Sequence, residues 1–176
     1  MTALQVIWFF LLGVLFVGYA ILDGFDLGVG FWHLRAKGDD ERRTMLNAVG
    51  PVWDGNEVWL LTAGGALFGA FPAVYASVFS GFYLALMLVL LVLMARAISF
   101  EFRSQVDSPG WRGAWDVVFS VSSTVAIVLF GVALGNILRG IPLDAAGYYT
   151  GTFFGLLNPF ALLTGVLGLA MLAFHG

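Results

Sequence analysis

Residues 5–32 read QVIWFFLLGVLFVGYAILDGFDLGVGFW, an apolar run in which Asp23 and Asp26 are the only charged residues. A helix needs roughly 20 apolar residues to cross the hydrocarbon core of a bilayer, so this run is long enough to span a membrane. A charged side chain at that depth costs about 2.5 to 3.5 kcal/mol on insertion scales, and it therefore faces protein, water or a proton path rather than lipid. The run predicts a membrane helix with buried carboxyl groups.

The rest of the chain is similarly apolar. Hydrophobic residues make up 60% of the 176 positions and charged residues 11%, whereas soluble domains carry about 25% charged residues. We predict an all-α, polytopic membrane helix bundle of about five transmembrane helices, formed by residues 1–176 as a single membrane-embedded domain. The predicted spans are residues 5–32, 52–71, 76–95, 116–138 and 159–176.

Several classes of site are excluded or disfavoured by composition. The chain has no cysteine, which rules out disulfides, iron–sulfur clusters and thiolate metal sites in it. No basic arm points to nucleic acid, and we predict that the chain does not bind it. Its two histidines, His33 and His175, have no ligand partner at helical spacing, so we interpret them as boundary residues at the membrane interface. We predict that this chain alone holds no cofactor and no metal.

Basic residues are distributed unevenly between the two ends of the predicted spans, and they indicate the topology. Only Arg139 falls on one side. The other side carries seven: Arg35, Lys37, Arg42, Arg43, Arg96, Arg103 and Arg112. By the positive-inside rule the richer side is cytoplasmic, which places the N-terminus outside and Asp54 near the cytoplasmic end of the second span.

Two pairs of acidic residues are the candidate functional groups. Asp23 and Asp26 are three residues apart, as are Asp54 and Glu57, so each pair shares one face of a helix. Like charges held close in a poor dielectric do not ionise together easily, so such a pair can hold and pass on a proton. Proton transfer is therefore one interpretation of these pairs.

The alternative interpretation is structural. The acids could pair with Arg96, Arg42 or Arg43, or Asp54 could stabilise the start of the second helix, where the dipole favours negative charge. Arg96 lies deep in the third span and needs a carboxylate there, which could be Asp26 or Asp54. Trp53, beside Asp54, fits a membrane-interface anchor. Glycine pairs at a spacing of four, 24/28, 65/69 and 131/135, predict close helix packing.

Ordered motifs along nearly the whole chain resemble subunit II of the cytochrome bd quinol oxidases. Arg96 and the pair Gly135-Asn136 fit the same pattern. The longer motifs are DGFDLGVG at 23–30, DERR at 40–43, PVWDGNEVWL at 51–60, TAGGAL at 62–67, FSGFY at 79–83, FEFR at 100–103 and LLNPF at 156–160. Because the matches are many and follow one order, the resemblance is specific.

This resemblance implies a role in the bacterial respiratory chain. Such an oxidase oxidises quinol, reduces dioxygen to water and resides as a multi-pass complex in the cytoplasmic (inner) membrane. In that family haems b and d and the quinol site belong to subunit I, the expected heterodimer partner; a small accessory membrane subunit is a further expected partner. Asp54 is then the expected proton-relay acid, Asp26 and Arg96 a buried pair, and Glu57 and Trp53 their neighbours.

The resemblance covers only the N-terminal half of a family subunit, because family members are about twice this length. We therefore expect this chain to correspond to part of a longer subunit. Two other functions remain open on the residues alone. A small proton-coupled transporter would also need buried carboxyl groups, and a purely structural membrane subunit would tolerate the neutralisation of every acid.

Overall fold

The first predicted span folds as one continuous helix in the computed structural model, which describes residues 2–176. Helix α1 runs from Ala3 to Trp32 and continues as a short 3-10 turn at His33–Arg35. Thr2 caps its start, because its hydroxyl accepts a hydrogen bond from the Gln5 amide while the Gln5 side chain accepts one from the Thr2 amide. This reciprocal pair satisfies two amides that have no partner within the helix.

Six further α-helices follow among the described residues. They are α2 (Asp39–Val49), α3 (Trp53–Ala70), α4 (Pro72–Gly81), α5 (Tyr83–Phe102), α6 (Pro109–Arg139) and α7 (Pro159–His175), with a 3-10 turn at Phe154–Leu156 before α7. The all-α membrane helix bundle is therefore confirmed. Asn158 caps α7, since its side chain accepts a hydrogen bond from the Ala161 amide at 3.0 Å.

Within residues 2–176, three helical segments are long and apolar enough to cross a membrane: Ala3–Arg35, Tyr83–Phe102 and Pro109–Arg139. Helix α7 is apolar but shorter, and α3 has 18 residues with two acids in its first turns. Since a helix rises about 1.5 Å per residue, α3 is about 27 Å long. Membrane crossing by α3 and α7 therefore stays a prediction.

The predicted third span, residues 76–95, is wrong in its boundaries. The helix is interrupted at Phe82, which separates α4 from α5, and α5 continues as far as Phe102. At the break Gly81 lies against the Tyr149 ring, where an added Cβ would stand 3.1 Å from Cγ. Hydropathy does not reveal such a break, because the residues on both sides of it are apolar. The basic segment after α1 also differs from a simple loop, since it forms α2.

Helix α6 lies at the centre of the packing, against α5, α1 and α7, and α1 also packs against α3 and α7. The predicted close packing at Gly131 is confirmed, because a Cβ there would stand 2.7 Å from the Gly165 Cα of α7. Gly65 and Gly69 of α3 face open space instead. That glycine pair makes no helix contact among the described residues.

Candidate functional site

A buried ion pair joins α1 to α5 in the middle of the bundle. Arg96 donates from Nη1 to Asp23 Oδ2 at 2.9 Å and from Nη2 to Asp23 Oδ1 at 2.5 Å. Both side chains are completely buried. The expected pairing of Arg96 with Asp26 or Asp54 is therefore wrong: its partner is Asp23, one helical turn before Asp26. A two-point contact of this kind fixes the guanidinium in orientation as well as position.

Two more carboxyl groups surround this pair. Glu57 of α3 brings Oε1 to 3.7 Å from Arg96 Nη1, and Asn56 donates from Nδ2 to Asp26 Oδ2 at 2.8 Å. We call Asp23, Asp26, Asn56, Glu57 and Arg96 the inner cluster. It holds three carboxyl groups and one guanidinium, so its surplus is two negative charges when every group is ionised.

The inner cluster also contains buried polar atoms that are not hydrogen-bonded. Among the described residues, Asp26 Oδ1, Glu57 Oε1, Arg96 Nε and the neighbouring Tyr19 hydroxyl have no hydrogen-bond partner. Buried polar groups in proteins are normally hydrogen-bonded, because leaving one unpaired costs free energy. This cluster therefore has the unused bonding capacity that an exchanging proton or a bound water molecule would satisfy.

A second cluster, which the sequence did not predict, lies at the end of the bundle that carries the basic residues. We call it the basic-end cluster: Asp116 accepts hydrogen bonds from His33 Nε2 at 2.6 Å, Arg103 Nε at 2.5 Å and Arg42 Nη1 at 3.0 Å, and Arg103 also binds Asp39 at 2.6 Å. It ties the ends of α1, α5 and α6 to α2. Hydrogen bonding by Arg103 lowers the pKa of Asp39 below its usual value.

The interpretation of His33 as an interfacial boundary residue is wrong. His33 is fully buried, binds Asp116 and stands edge-on to Phe119 at 5.0 Å. The two residues are 83 positions apart in the chain, so no local spacing could pair them. A usable signal was Asp116 itself, an acid at the start of an apolar span, which needs a cationic partner for the same reason as Asp23.

An aromatic layer separates the two clusters. Trp53 stacks on Phe100 with ring centroids 5.3 Å apart and an interplanar angle of 11°, and Phe100 meets Phe119 at 5.0 Å. We call these three residues the aromatic partition. Phe119 is buried, together with Val29 and Val49 beside it. The partition carries no charged group, so it places an uncharged layer between the basic-end cluster and the inner cluster.

The predicted site residues are therefore only partly brought together. Asp26, Glu57 and Arg96 meet in the inner cluster, and Trp53 joins the aromatic partition. Asp54 is exposed in the first turn of α3 and makes no hydrogen bond or ion pair with the described residues. Asp23, which completes the inner cluster, was recognised as an acid but not as the partner of Arg96.

Each histidine is hydrogen-bonded through its Nε2 atom. His33 Nε2 is engaged by Asp116, and His175 Nε2 lies 2.8 Å from the carbonyl oxygen of Ile21. No group of three or more His, Cys, Asp or Glu side chains among residues 2–176 is arranged to hold a metal ion.

These features define an integral membrane subunit built of helices around buried ionic clusters. The family model for subunit II of the cytochrome bd terminal oxidases matches residues 4–176, and the chain belongs to that family.

Among its relatives, the cytochrome bd-I ubiquinol oxidase subunit 2 of Escherichia coli is 49% identical over 98% of this chain and 47% of its own length. The probable cytochrome oxidase subunit 2 of Haemophilus influenzae is 51% identical over 98% of this chain and 47% of its own. The cytochrome bd ubiquinol oxidase subunit 2 of Bacillus subtilis is 41% identical over 100% of this chain and 52% of its own. The chain spans about half the length of the curated relatives it matches.

Proposed function

We propose that this chain forms part of subunit II of a bd-type terminal oxidase, which oxidises quinol and reduces dioxygen to water in a bacterial cytoplasmic membrane. The observation that carries the proposal is the family match over residues 4–176 together with an acid-rich cluster buried among membrane helices. The complex would be an oxidoreductase of the respiratory chain. Residues 1–176 would form one membrane domain within the longer subunit.

The haem-bearing chemistry in this proposal belongs to the partner. Subunit I would carry haems b and d and the quinol site, and the complex would accommodate a small accessory subunit. The support from this chain is its scarcity of haem ligands, since it has no cysteine and only two histidines. The bound haems would supply electron transfer and dioxygen reduction. This chain's own residues would support subunit I and handle protons.

The proton-handling role has two parts. The seven basic residues favour a cytoplasmic location for the end of the bundle that carries the basic-end cluster. Asp54, exposed in the first turn of α3 at that end, would accept protons. Glu57, about one turn deeper on α3, and Asp26 of the inner cluster would then hold them. Arg96 and Asp23 would keep the inner cluster in place, because their two-point contact fixes both side chains.

A purely structural role is the second candidate, and a specific observation favours it. Asp23 and Arg96 already neutralise each other in a rigid buried pair, as a structural ion pair would. The two candidates differ in what happens when an acid loses its charge but keeps its shape. A structural subunit would retain turnover after such a change at Asp54, and a proton relay would not.

The test is the Asp54→Asn variant of the complete oxidase, measured by quinol-driven oxygen uptake and by its reduced-minus-oxidised visible spectrum. A relay that contributes general acid–base transfer is worth roughly 100-fold, so turnover should fall by about that factor while the haem bands persist. Asp40→Asn is the matched control, because Asp40 is an exposed acid at the same end of the bundle, in the first turn of α2. Unchanged turnover in Asp54→Asn would refute the relay role.

A further inference from the structure

A polar cavity opens at the basic end of the bundle, between α2, α3 and α5. Its volume is about 210 Å³. A site needs only about 10 to 15 Å³ of such volume and two to four polar partners to hold a water molecule, so this cavity has room for several. Its lining residues include Arg43, Asn47, Trp53, Phe100, Glu101 and Ser104.

The stacked pair of the aromatic partition forms part of the wall of this cavity. Trp53 and Phe100 both line the cavity and lie in contact with each other. Residues four apart share a helix face and are separated by about 6 Å along the axis. Glu57 therefore lies one turn below Trp53 on α3, and Arg96 one turn below Phe100 on α5. The antiparallel helices pair these residues in two successive layers, since Glu57 also lies 3.7 Å from Arg96.

Helices α3 and α5 approach each other mainly through the side chains of these two layers. Close backbone contacts are concentrated between other helix pairs. The barrier between the cavity and the inner cluster is thus one layer of two aromatic rings. On its far side stands a carboxyl oxygen, Glu57 Oε1, that has no hydrogen-bond partner among the described residues. On its near side stand the hydroxyl of Ser104, the amide of Asn47 and the carboxyl group of Glu101.

We propose that this cavity is an aqueous antechamber from which protons reach Glu57, and that the Trp53–Phe100 stack is the gate between them. A hydronium ion in the cavity would give its proton to a Glu57 carboxylate and leave a water molecule behind, and no electron would move. The inference rests on the proposed proton-handling role. It goes beyond that role because it assigns the space that delivers protons to Glu57. Asp54 does not line this space, and the two would act in series, with Asp54 collecting protons at the surface and the cavity delivering them.

The charges around the cavity allow this use. Arg103 faces it but is neutralised by Asp116 and Asp39. Arg43 makes no ion pair with the described residues and would repel a proton, whereas Glu101 is exposed and would attract one. The positive and negative charges at the opening of the cavity thus nearly cancel. A charge added there should change the local electrostatic potential.

The test places a charge in the cavity. This chain contains no cysteine, so Ser104→Cys introduces a single thiol in it, at an exposed lining position. The purified oxidase carrying this variant is treated with trimethylammonioethyl or sulfonatoethyl methanethiosulfonate, which add similar bulk but opposite charge. Gln105→Cys is the matched control, because the next residue is equally exposed but does not line the cavity. The unsubstituted oxidase treated in the same way corrects for cysteines in other subunits.

We expect the cationic label on Ser104→Cys to lower oxygen-reduction turnover roughly tenfold relative to the anionic label. Each unit charge about 10 Å from the path, in a medium between protein surface and water, changes the local proton concentration several-fold. The labels on Gln105→Cys should differ by less than about twofold, since that charge lies in bulk solvent. The visible spectrum of the labelled enzyme should be unchanged.

Equal turnover with the two labels on Ser104→Cys, whether slowed or not, would overturn the proposal, because a structural effect follows bulk rather than charge. If Ser104→Cys does not assemble, Asn47→Cys provides a second exposed lining position, read against the same criterion. The Asp54→Asn result is independent of this one. A loss of turnover in Asp54→Asn with no charge effect at Ser104 would leave the proposed function standing and the antechamber refuted.

Discussion

Removing Arg96 should destabilise the protein far more than removing its partner Asp23. Both side chains are fully buried, and their two hydrogen bonds measure 2.9 and 2.5 Å. Breaking a buried ion pair at one side leaves an uncompensated charge and typically costs about 3 to 5 kcal/mol. Arg96→Gln should incur this full cost, because it leaves three carboxyl groups without their cation.

Asp23→Asn should cost less, because Arg96 keeps an acidic neighbour. Glu57 Oε1 lies 3.7 Å from Arg96 Nη1, a separation worth about 4 kcal/mol of attraction at an effective dielectric of 20, before desolvation is counted. We therefore expect Asp23→Asn to lose only about 1 to 2 kcal/mol, the cost of imperfect hydrogen bonding. Combining Asp23→Asn with Glu57→Gln should remove the substitute partner and bring the loss close to that of Arg96→Gln.

The assay measures the free energy of unfolding of the complete oxidase in detergent micelles. Steric trapping would report the unfolding of α1 and α5. Glu57→Gln alone is the control, since Arg96 keeps Asp23 in that variant. Equal losses for Arg96→Gln and Asp23→Asn would refute the reasoning, as would a double variant no worse than Asp23→Asn. Either result would mean that Glu57 does not compensate the guanidinium.

Two further predictions follow from the packing and from the basic-end cluster. Gly131→Ala should destabilise the protein by about 1 to 3 kcal/mol in the same unfolding assay, because its Cβ would stand 2.7 Å from the Gly165 Cα. The control is Gly64→Ala, whose Cβ would meet open space and should cost no stability. Equal losses in the two variants would contradict the packing argument. The pKa of Asp39 is held below its usual 3.8 by Arg103, so its stabilisation of α2 is fully present above pH 4 and is lost as the pH falls through the lowered value. The protection of the α2 amides, meaning their exchange rate relative to the intrinsic rate at the same pH, should therefore fall in acid. In Asp39→Asn this protection should already be low at neutral pH. An unchanged acid profile in that variant would rule out Asp39 as the titrating group.

The elements of this fold were predictable where the signal is local. The apolar run of α1 depends on residues close together in the chain, and it is confirmed as one continuous helix. The break at Phe82 was not predicted, because apolar residues flank it on both sides; the structure shows Gly81 beside it packed against Tyr149, far along the chain. The family was recognisable because its motifs are also contiguous stretches of sequence.

The candidate site, too, was predictable only where the signal is local in the sequence. Sequence alone identified Asp26, Glu57 and Arg96 as polar groups at membrane depth, because burying charge in lipid is costly wherever it occurs. It could not choose the partner of Arg96. Asp23 and Asp26 are three residues apart on α1 and both are fully buried, so only the rotation of α1 against α5 decides which of them meets Arg96. It also missed the link between His33 and Asp116, which are 83 residues apart.

The amino-acid sequence by itself determined that this chain is a membrane helix bundle of the bd oxidase subunit II family, because hydropathy and contiguous motifs are properties of the chain read in order. Only the tertiary structure decided which charges neutralise each other, that an aromatic layer separates the inner cluster from the basic-end cluster, and that Asp54 lies outside both. The physical reason is that ion pairing and stacking act over a few ångströms in space, and helices α1, α3, α5 and α6 bring distant residues to that range only when they pack.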